Sequence, residues 1–188
     1  MPFLDAFALW ESPERESVTI LIAGDGELRA SVEKWIRLHP SCDVRLLGHV
    51  DESTMVTLYA MADGFALPSY IDPNPLSVIE ALWAGLPILI SDRVGNMPEA
   101  LQLGQNGWSY NVDVKSSVQS ALTNWVVSLD ARRGEIERNS RRIAHDHFNT
   151  ASVVSNFVDS VIEYFKVSGL GKRRLTVEGE RDWARDSM

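Results

Sequence analysis

The sequence predicts an α/β fold in which a parallel β-sheet carries helices on both faces and is followed by C-terminal helices. Residues 18–23 form a continuous apolar, β-branched run, which is typical of a buried parallel strand. Similar short runs recur along the chain, and each is followed by a turn and a stretch of helical length. Strands that alternate with helices at this spacing indicate βαβ units and therefore a parallel sheet.

The elements can be predicted in order along the chain. Five strands are expected over residues 18–23, 43–47, 64–67, 87–91 and 107–110. The helices expected before and between them cover residues 1–10, 27–38, 51–62, 75–84 and 96–101, with Asp51 or Ser53 as the cap of the third helix. After Val112 three consecutive helices are predicted, over residues 115–129, 132–147 and 152–165.

Residues 1–167 are predicted to form one domain, and residues 168–188 a charged tail. The tail lacks an apolar period and is expected to be disordered and solvated. Its basic residues Lys172, Arg173 and Arg174 could alternatively touch anionic lipid. Three charges fall short of the usual polybasic cluster, so a membrane contact has little support.

Composition excludes several classes of function. The 188 residues carry a formal net charge of -8 with a pI of about 5.0, which argues against nucleic acid as the main ligand. The single cysteine, Cys42, rules out an internal disulfide and a multi-cysteine zinc site. The sequence contains no apolar run of membrane-spanning length and no basic leader, so a cytoplasmic location is expected.

The segment around residues 74–85 reads as a helix with a defined start and stop. Asn74 suits the N-cap, Pro75 the first helical position, and Gly85 the residue just past the end. The amides of Leu76 and Ser77 should then be free at the positive end of the helix dipole. An anion such as phosphate is stabilised at that end.

Glu80 is the only charged residue of this helix. Ser77 and Leu76 precede it by three and four residues, so all three share one side. One helix could therefore offer amide donors to a phosphate and a carboxylate to a neighbouring hydroxyl. The alternative is a buried structural helix whose narrow stripe of Ser77, Glu80 and Ala84 faces water.

An ordered series of motifs surrounds this helix. It comprises Gly48-His49-Val50, Tyr59-Ala60-Met61-Ala62-Asp63, Leu67-Pro68-Ser69, the segment from Asp72 to Gly85, Ser91-Asp92-Arg93-Val94-Gly95-Asn96, Pro98-Glu99-Ala100 and Gly104-Gln105-Asn106-Gly107. This series, over roughly residues 4–165, resembles the C-terminal, donor-binding half of retaining GT-B glycosyltransferases, the glycosyltransferase-4-like or group 1 class. The resemblance implies a Rossmann-like sheet and transfer of a sugar from a nucleoside-diphosphate donor to an acceptor with retention.

The resemblance also assigns roles to the two carboxylates, which become the candidate catalytic residues. Glu80 would hydrogen-bond the ribose hydroxyls of the donor. Asp72 stands where the family has its first Glu, which contacts hydroxyls of the transferring sugar. Asp is one methylene shorter than Glu, so the reach of Asp72 and the sugar preference of the site differ from the usual pattern.

The remaining donor-binding residues follow from the same resemblance. Leu76 and Ser77 would give backbone N–H groups to the diphosphate. Asn74 and Pro75 stand where many members carry an aromatic residue and a glycine, which makes this loop stiffer. The base pocket would be lined by Gly48, His49 and Val50.

No metal and no cofactor are implied, because the substrate is the nucleotide sugar itself. His145 and His147 form the one histidine pair with short spacing, and on a helix they would point apart. Two weaker signals remain open. Residues 24–26, Gly-Asp-Gly, suit a tight turn better than a phosphate loop. Asp92, Arg93 and Asn96 either edge the site or belong to a plain surface loop. Four tryptophans are predicted to be core: Trp10, Trp35, Trp83 and Trp125.

The family domain would normally begin with one more strand, whose loop carries an Arg and a Lys that grip the diphosphate, and would follow an N-terminal acceptor domain. Neither fits before Val18. The chain is therefore expected to be a fragment, a mis-started reading frame or one half of a split enzyme. It should need an acceptor domain or partner chain, be inactive alone, and show an unpaired sheet edge or a gap.

Two other functions compete with this hypothesis. One is a non-catalytic module that binds nucleotide sugars or docks to another subunit, which the missing basic loop would favour. The other is a GT-B sugar-nucleotide epimerase, which the spacing of Asp72 and Glu80 argues against.

Overall fold

The structure, a computed structural model, describes residues 1–167 of the 188-residue chain. The predicted tail at 168–188, with Lys172, Arg173 and Arg174, lies outside the described residues. Residues 1–149 form one compact unit, and the last helix is described by itself below.

The described elements alternate as predicted. The strands are β1 (Ile20–Ala23), β2 (Val44–Gly48), β3 (Phe65–Leu67), β4 (Ile88–Ser91) and β5 (Gly107–Tyr110). The helices are α1 (Pro2–Ala8), α2 (Arg29–Leu38), α3 (Glu52–Met61), α4 (Leu76–Ala84), α5 (Met97–Ala100), α6 (Lys115–Phe148) and α7 (Thr150–Val167), with a short 3₁₀ helix at Pro13–Ser17. All strand pairs in the described part are parallel, which confirms the α/β fold class.

The single sheet expected from the sequence is divided into two. β1 pairs with β2, and β4 lies between β3 and β5. Within the described residues, β1 and β3 therefore each have one strand neighbour. This agrees with the prediction that the sheet has an unpaired edge or a gap. β4, with a neighbour on each side, is completely buried, whereas Leu21 of β1 is 44% exposed.

Two apolar clusters hold these layers together. In the first, Phe3 and Phe7 of α1 pack with Trp35, Tyr110 and Ile136, and residues of both sheets lie against this cluster. The second cluster joins the buried face of α4 to β4 and to the second half of α6. Its members are Val78, Ala81, Leu82, Leu86, Ile88, Ile90, Val94, Ala100, Ile143 and Ala144.

Three of the four tryptophans predicted to be core pack as expected. Trp10 and Trp35 are buried, and Trp125 is half-buried against the first cluster. The prediction for Trp83 is wrong, because this side chain is 45% exposed. α4 buries the stripe of Val78, Ala81 and Leu82, and Trp83 lies on the opposite side of the helix.

The C-terminal helices differ from the prediction in one respect. The first two form one long helix, α6, which kinks where Arg132 has non-helical dihedrals (φ −143°, ψ 25°). The kink falls at the break predicted between residues 129 and 132.

The last helix, α7, carries exposed apolar residues at helical spacing: Val154, Phe157, Val158 and Val161. None of the described helices combines the length and apolarity that a membrane span requires.

Asp51 caps α3, as one of the two predicted alternatives. Its side chain accepts a hydrogen bond of 2.8 Å from the Thr54 amide, and the Ser53 hydroxyl adds a second at 3.0 Å. Hydrogen bonds from Thr54 and then from Ser53 hold the pKa of Asp51 below its usual value. The ionised carboxylate is therefore the form that stabilises the helix start.

The Asp51→Ala variant should lose this cap and melt about 2–4 °C lower at pH 7. Because the pKa of Asp51 is lower in the folded than in the unfolded state, the cap stabilises the fold fully above the unfolded-state pKa of about 4. This stabilisation is lost as the pH falls below that value and through the lower folded-state pKa. Melting curves at pH 7 and pH 3 test this, with Ser53→Ala as the milder neighbour. A difference between Asp51→Ala and the parent that persists undiminished at pH 3 would contradict the capping role.

Candidate functional site

α4 begins one residue later than predicted. Pro75, at φ −66° and ψ 117°, is extended and is the N-cap, so the first helical residue is Leu76. The prediction that Asn74 caps the helix is wrong, because its side chain is engaged elsewhere: Asn74 Oδ1 accepts a hydrogen bond of 3.2 Å from Asn96 Nδ2. At the other end, Gly85 adopts the predicted left-handed conformation (φ 86°).

The first turn of α4 presents two free amides. Among the residues that the structure describes, no group accepts a hydrogen bond from the amides of Leu76 or Ser77, whereas the Val78 amide bonds the Pro75 carbonyl at 3.3 Å. Leu76 is exposed and Ser77 is half-buried. These amides lie at the positive end of a nine-residue helix, where an anion is stabilised.

Glu80 lies one turn further along α4 and is exposed. Its Oε2 accepts a hydrogen bond of 3.0 Å from the hydroxyl of Tyr59 on α3. The same hydroxyl lies 3.3 Å from the Ser77 carbonyl. The water-facing stripe differs from the predicted Ser77–Glu80–Ala84 set, because Leu76, Glu80 and Trp83 are the exposed residues.

The partnership between Tyr59 and Glu80 was not predicted. The Tyr59 ring is half-buried and packs against Phe65, with ring centroids 6.1 Å apart. Burial, reinforced by the hydrogen bond to Glu80, raises the pKa of Tyr59. The phenol therefore stays protonated and remains a donor. The sequence shows only a single tyrosine near the end of α3, and nothing in the sequence indicates which residue accepts its hydrogen bond.

Asp72 is half-buried in the loop that follows β3. It forms an isolated parallel bridge with Val94, and its carbonyl accepts a hydrogen bond of 2.8 Å from the Gly95 amide. A Cβ atom at Gly95 would lie 2.2 Å from the Pro73 carbonyl oxygen. The loops after β3 and β4 are therefore in close backbone contact at the residue proposed to touch the sugar.

The loop after β4 supports the start of α4 from within. Asn96 is only 6% exposed, and its Nδ2 donates to Asn74 Oδ1 and, at 3.3 Å, to the Pro75 carbonyl. Arg93 lies further out and pairs with Asp113 at 2.7 Å and with Asp92 at 3.7 Å. Two of the three residues proposed to edge the site contact the segment leading into α4: Asn96 through its side chain, and Arg93 through its carbonyl, which accepts a hydrogen bond of 3.5 Å from the Asp72 amide.

The predicted base-pocket residues lie at the end of β2. Gly48 is buried with φ +72°, and its carbonyl accepts a hydrogen bond of 2.7 Å from the Gly24 amide. His49 is exposed and Val50 is half-buried. The loops after β1 and β2 are thus joined to each other, as the loops after β3 and β4 are.

The turn predicted at residues 24–26 lies slightly later in the chain, because the Arg29 amide donates a hydrogen bond of 3.0 Å to the Gly26 carbonyl and closes a turn over residues 27 and 28. The Gly26 amide donates to Asp25 Oδ1 at 2.9 Å, and Arg29 pairs with Asp25 at 2.8 Å. The hydrogen bond from Gly26, followed by that from Arg29, lowers the pKa of Asp25. The Arg29 guanidinium is also paired with Glu33.

The strand-end loops are thus brought together in two pairs. One pair contains Gly24 and Gly48, and the other contains the segments around Asp72 and Asn96. Across the described residues no hydrogen bond or ion pair joins one pair to the other. Convergence of all four loops on one cleft, with Asp72 and Glu80 on its wall, stays a prediction.

Within the described part of the chain, no group of three or more His, Cys, Asp or Glu side chains has metal-binding geometry.

Comparison with known proteins identifies the family. The sequence profile described as Glycosyl transferases group 1 matches residues 2–143. An uncharacterised glycosyltransferase of Methanocaldococcus jannaschii is 28% identical over 151 residues, which cover 78% of this chain and 37% of that protein. The D-inositol 3-phosphate glycosyltransferase of Corynebacterium diphtheriae is 33% identical over 103 residues, covering 53% and 24%. The chain belongs to the group 1 glycosyl transferases.

Solved structures show the same fold. The pneumococcal O-GlcNAc transferase GtfA, in complex with UDP and GlcNAc, aligns with a TM-score of 0.68 at 20% identity, over 86% of this chain and 32% of that one. HepE of Anabaena, in complex with UDP and glucose, aligns with a TM-score of 0.68 at 19% identity, over 86% and 44%. The fold is therefore the Rossmann-like fold of GT-B glycosyltransferases, and the chain spans less than half the length of these relatives.

Proposed function

We propose that this chain is the donor-binding half of a retaining hexosyltransferase. It would bind a nucleoside-diphosphate sugar and act together with an acceptor domain or a partner chain. In this proposal the reaction needs no metal ion and no cofactor, takes place in the cytoplasm, and is not carried out by the chain alone.

One observation carries the proposal: within the part of the chain that the structure describes, the helix α4 presents two amides without an acceptor, together with a carboxylate held by Tyr59. A diphosphate placed at the amides of Leu76 and Ser77 would meet the positive end of the helix dipole. The carboxylate of Glu80, one turn away, can accept hydrogen bonds from a ribose diol. Asp72 is proposed to accept from hydroxyls of the transferring sugar, and Gly48, His49 and Val50 to border the base.

The charges near these loops support the idea that the chain is inactive alone. Departure of a nucleoside diphosphate develops negative charge, which a transferase must stabilise. Arg29 and Arg93, which adjoin the strand-end loops, are each already paired with two carboxylates. Further positive charge for the leaving group would therefore come from the partner.

The second candidate function is a non-catalytic module that binds nucleotide sugars or docks to another subunit. The single strand neighbours of β1 and β3 within the described residues favour it, because an unpaired strand edge can pair with another chain. This module would keep the same nucleotide site, so nucleotide binding does not separate the two candidates. Activity after addition of an acceptor domain does.

The purified chain is expected to bind UDP or GDP but to transfer no sugar. Thermal-shift titration measures binding, with the apparent stability rising as the nucleotide exceeds its Kd. UDP is the first nucleotide to test, because the complexes of GtfA and HepE contain it. Transfer is measured as the release of UDP or GDP from the corresponding glucose and mannose donors in the presence of an added acceptor, above the release that hydrolysis gives without it. Lack of binding at millimolar nucleotide would refute the donor site, and robust transfer by the chain alone would refute its description as a half-enzyme.

A further inference from the structure

The hydroxyl of Tyr59 is the one hydrogen-bond partner of the Glu80 carboxylate among the described residues. It reaches across from α3 to α4, between two elements that the chain separates by strand β3. The oxygen-to-oxygen distance to Glu80 Oε2 is 3.0 Å, shorter than the 3.3 Å to the Ser77 carbonyl. A bond to an ionised acceptor is also the stronger of the two, so the proton is directed to Glu80.

We propose that Tyr59 is a positioning residue that fixes Glu80 for recognition of a ribose diol and so makes the site select ribonucleotides over deoxyribonucleotides. The inference rests on the proposed function, because it requires Glu80 to contact the ribose. Tyr59 itself is not proposed to touch the donor.

The physical reason lies in the exposure of Glu80. An exposed glutamate on a helix samples many rotamers, and ordering it on binding costs conformational entropy. The Tyr59 ring is held by packing against Phe65, so its hydroxyl is a fixed anchor. With Oε2 engaged, Oε1 remains free to accept, and a carboxylate can take the two hydroxyls of a ribose at once. Pre-ordering of this kind strengthens binding mainly by lowering its entropic cost.

The Tyr59→Phe variant removes the hydroxyl and keeps the ring. Its test compares the affinities of UDP and 2′,3′-dideoxyuridine diphosphate, or the corresponding guanosine pair, by isothermal titration. We expect UDP binding to weaken about 3- to 10-fold and binding of the dideoxy nucleotide to stay unchanged, because only the ribose contact depends on Glu80. A merely structural role for Tyr59 would weaken both nucleotides equally, and that result would overturn the inference.

Two further variants distinguish a failure of the Tyr59 inference from a failure of the proposed function. Tyr110→Phe is the matched control: its hydroxyl is buried without a hydrogen-bond partner among the described residues, so its removal should not change the ribose preference. Glu80→Gln should lose most of that preference. If Glu80→Gln loses it and Tyr59→Phe keeps it, Glu80 works without Tyr59 and the inference fails alone. If Glu80→Gln keeps it, the ribose role in the proposed function fails as well.

Discussion

Replacing Glu80 with alanine is expected to abolish the stabilisation that UDP or GDP gives this chain. The change removes the carboxylate proposed to accept hydrogen bonds from both ribose hydroxyls. A hydrogen bond to a charged group contributes about 1.5–3 kcal/mol, so the loss of two lowers the affinity by at least about 100-fold. At a nucleotide concentration of 100 times the parent Kd, the parent gains about 2.7 kcal/mol, and the variant should gain almost nothing.

The fold should survive this substitution. Glu80 is exposed, its hydrogen-bond partner among the described residues is Tyr59, and alanine is a strong helix former. The unliganded melting temperature should therefore stay within about 2 °C of the parent. Glu137→Ala on α6 serves as the matched control for loss of one carboxylate. Equal nucleotide-induced shifts in Glu80→Ala and the parent would contradict the ribose role.

The order of elements was predictable because it depends on local patterns. For example, residues that are adjacent in the sequence are enough to identify the apolar strand at residues 18–23 and the helix that follows it. The stop of α4 was equally local, since Gly85 takes the positive φ that glycine allows. The cap of α3 was narrowed to Asp51 or Ser53, and the structure selects Asp51 because its carboxylate reaches the Thr54 amide.

The errors arose where a neighbour distant in the sequence decides the outcome. Asn74 has a side chain suited to an N-cap, but its Oδ1 accepts a hydrogen bond from Asn96 of another loop. Trp83 is apolar, yet the position of the buried face of α4 against β4 and α6 places it outside. The contact between Tyr59 and Glu80 joins residues 21 positions apart, and no periodicity in the sequence indicates such a pair.

The division of the sheet followed from the resemblance and not from the strands themselves. β1 and β3 have the apolar composition of strands buried on both sides, and composition alone predicts one continuous sheet. The structure instead leaves each with a single strand neighbour within the described residues. Leu21 of β1 is exposed, although its apolar character predicts burial.

The Gly95→Ala variant should destabilise the chain by about 2–3 kcal/mol and lower its melting temperature by about 5–10 °C. The added Cβ atom would lie 2.2 Å from the Pro73 carbonyl oxygen and 2.8 Å from the Pro73 Cα. Both are backbone atoms, so no side-chain rotation can relieve the overlap, and the loops after β3 and β4 must separate. Separation also breaks the hydrogen bond from the Gly95 amide to the Asp72 carbonyl.

Two other glycines provide the controls. Gly26 has open space around its Cβ position and no positive φ, so Gly26→Ala should change the melting temperature by less than about 1 °C. Gly104 has open space but a φ of +74°, so Gly104→Ala isolates a backbone cost of about 1 kcal/mol. If Gly95→Ala is as stable as Gly26→Ala, the loops around Asp72 and Gly95 do not meet as described. Asp72 would then lack the support that its proposed contact with the sugar requires.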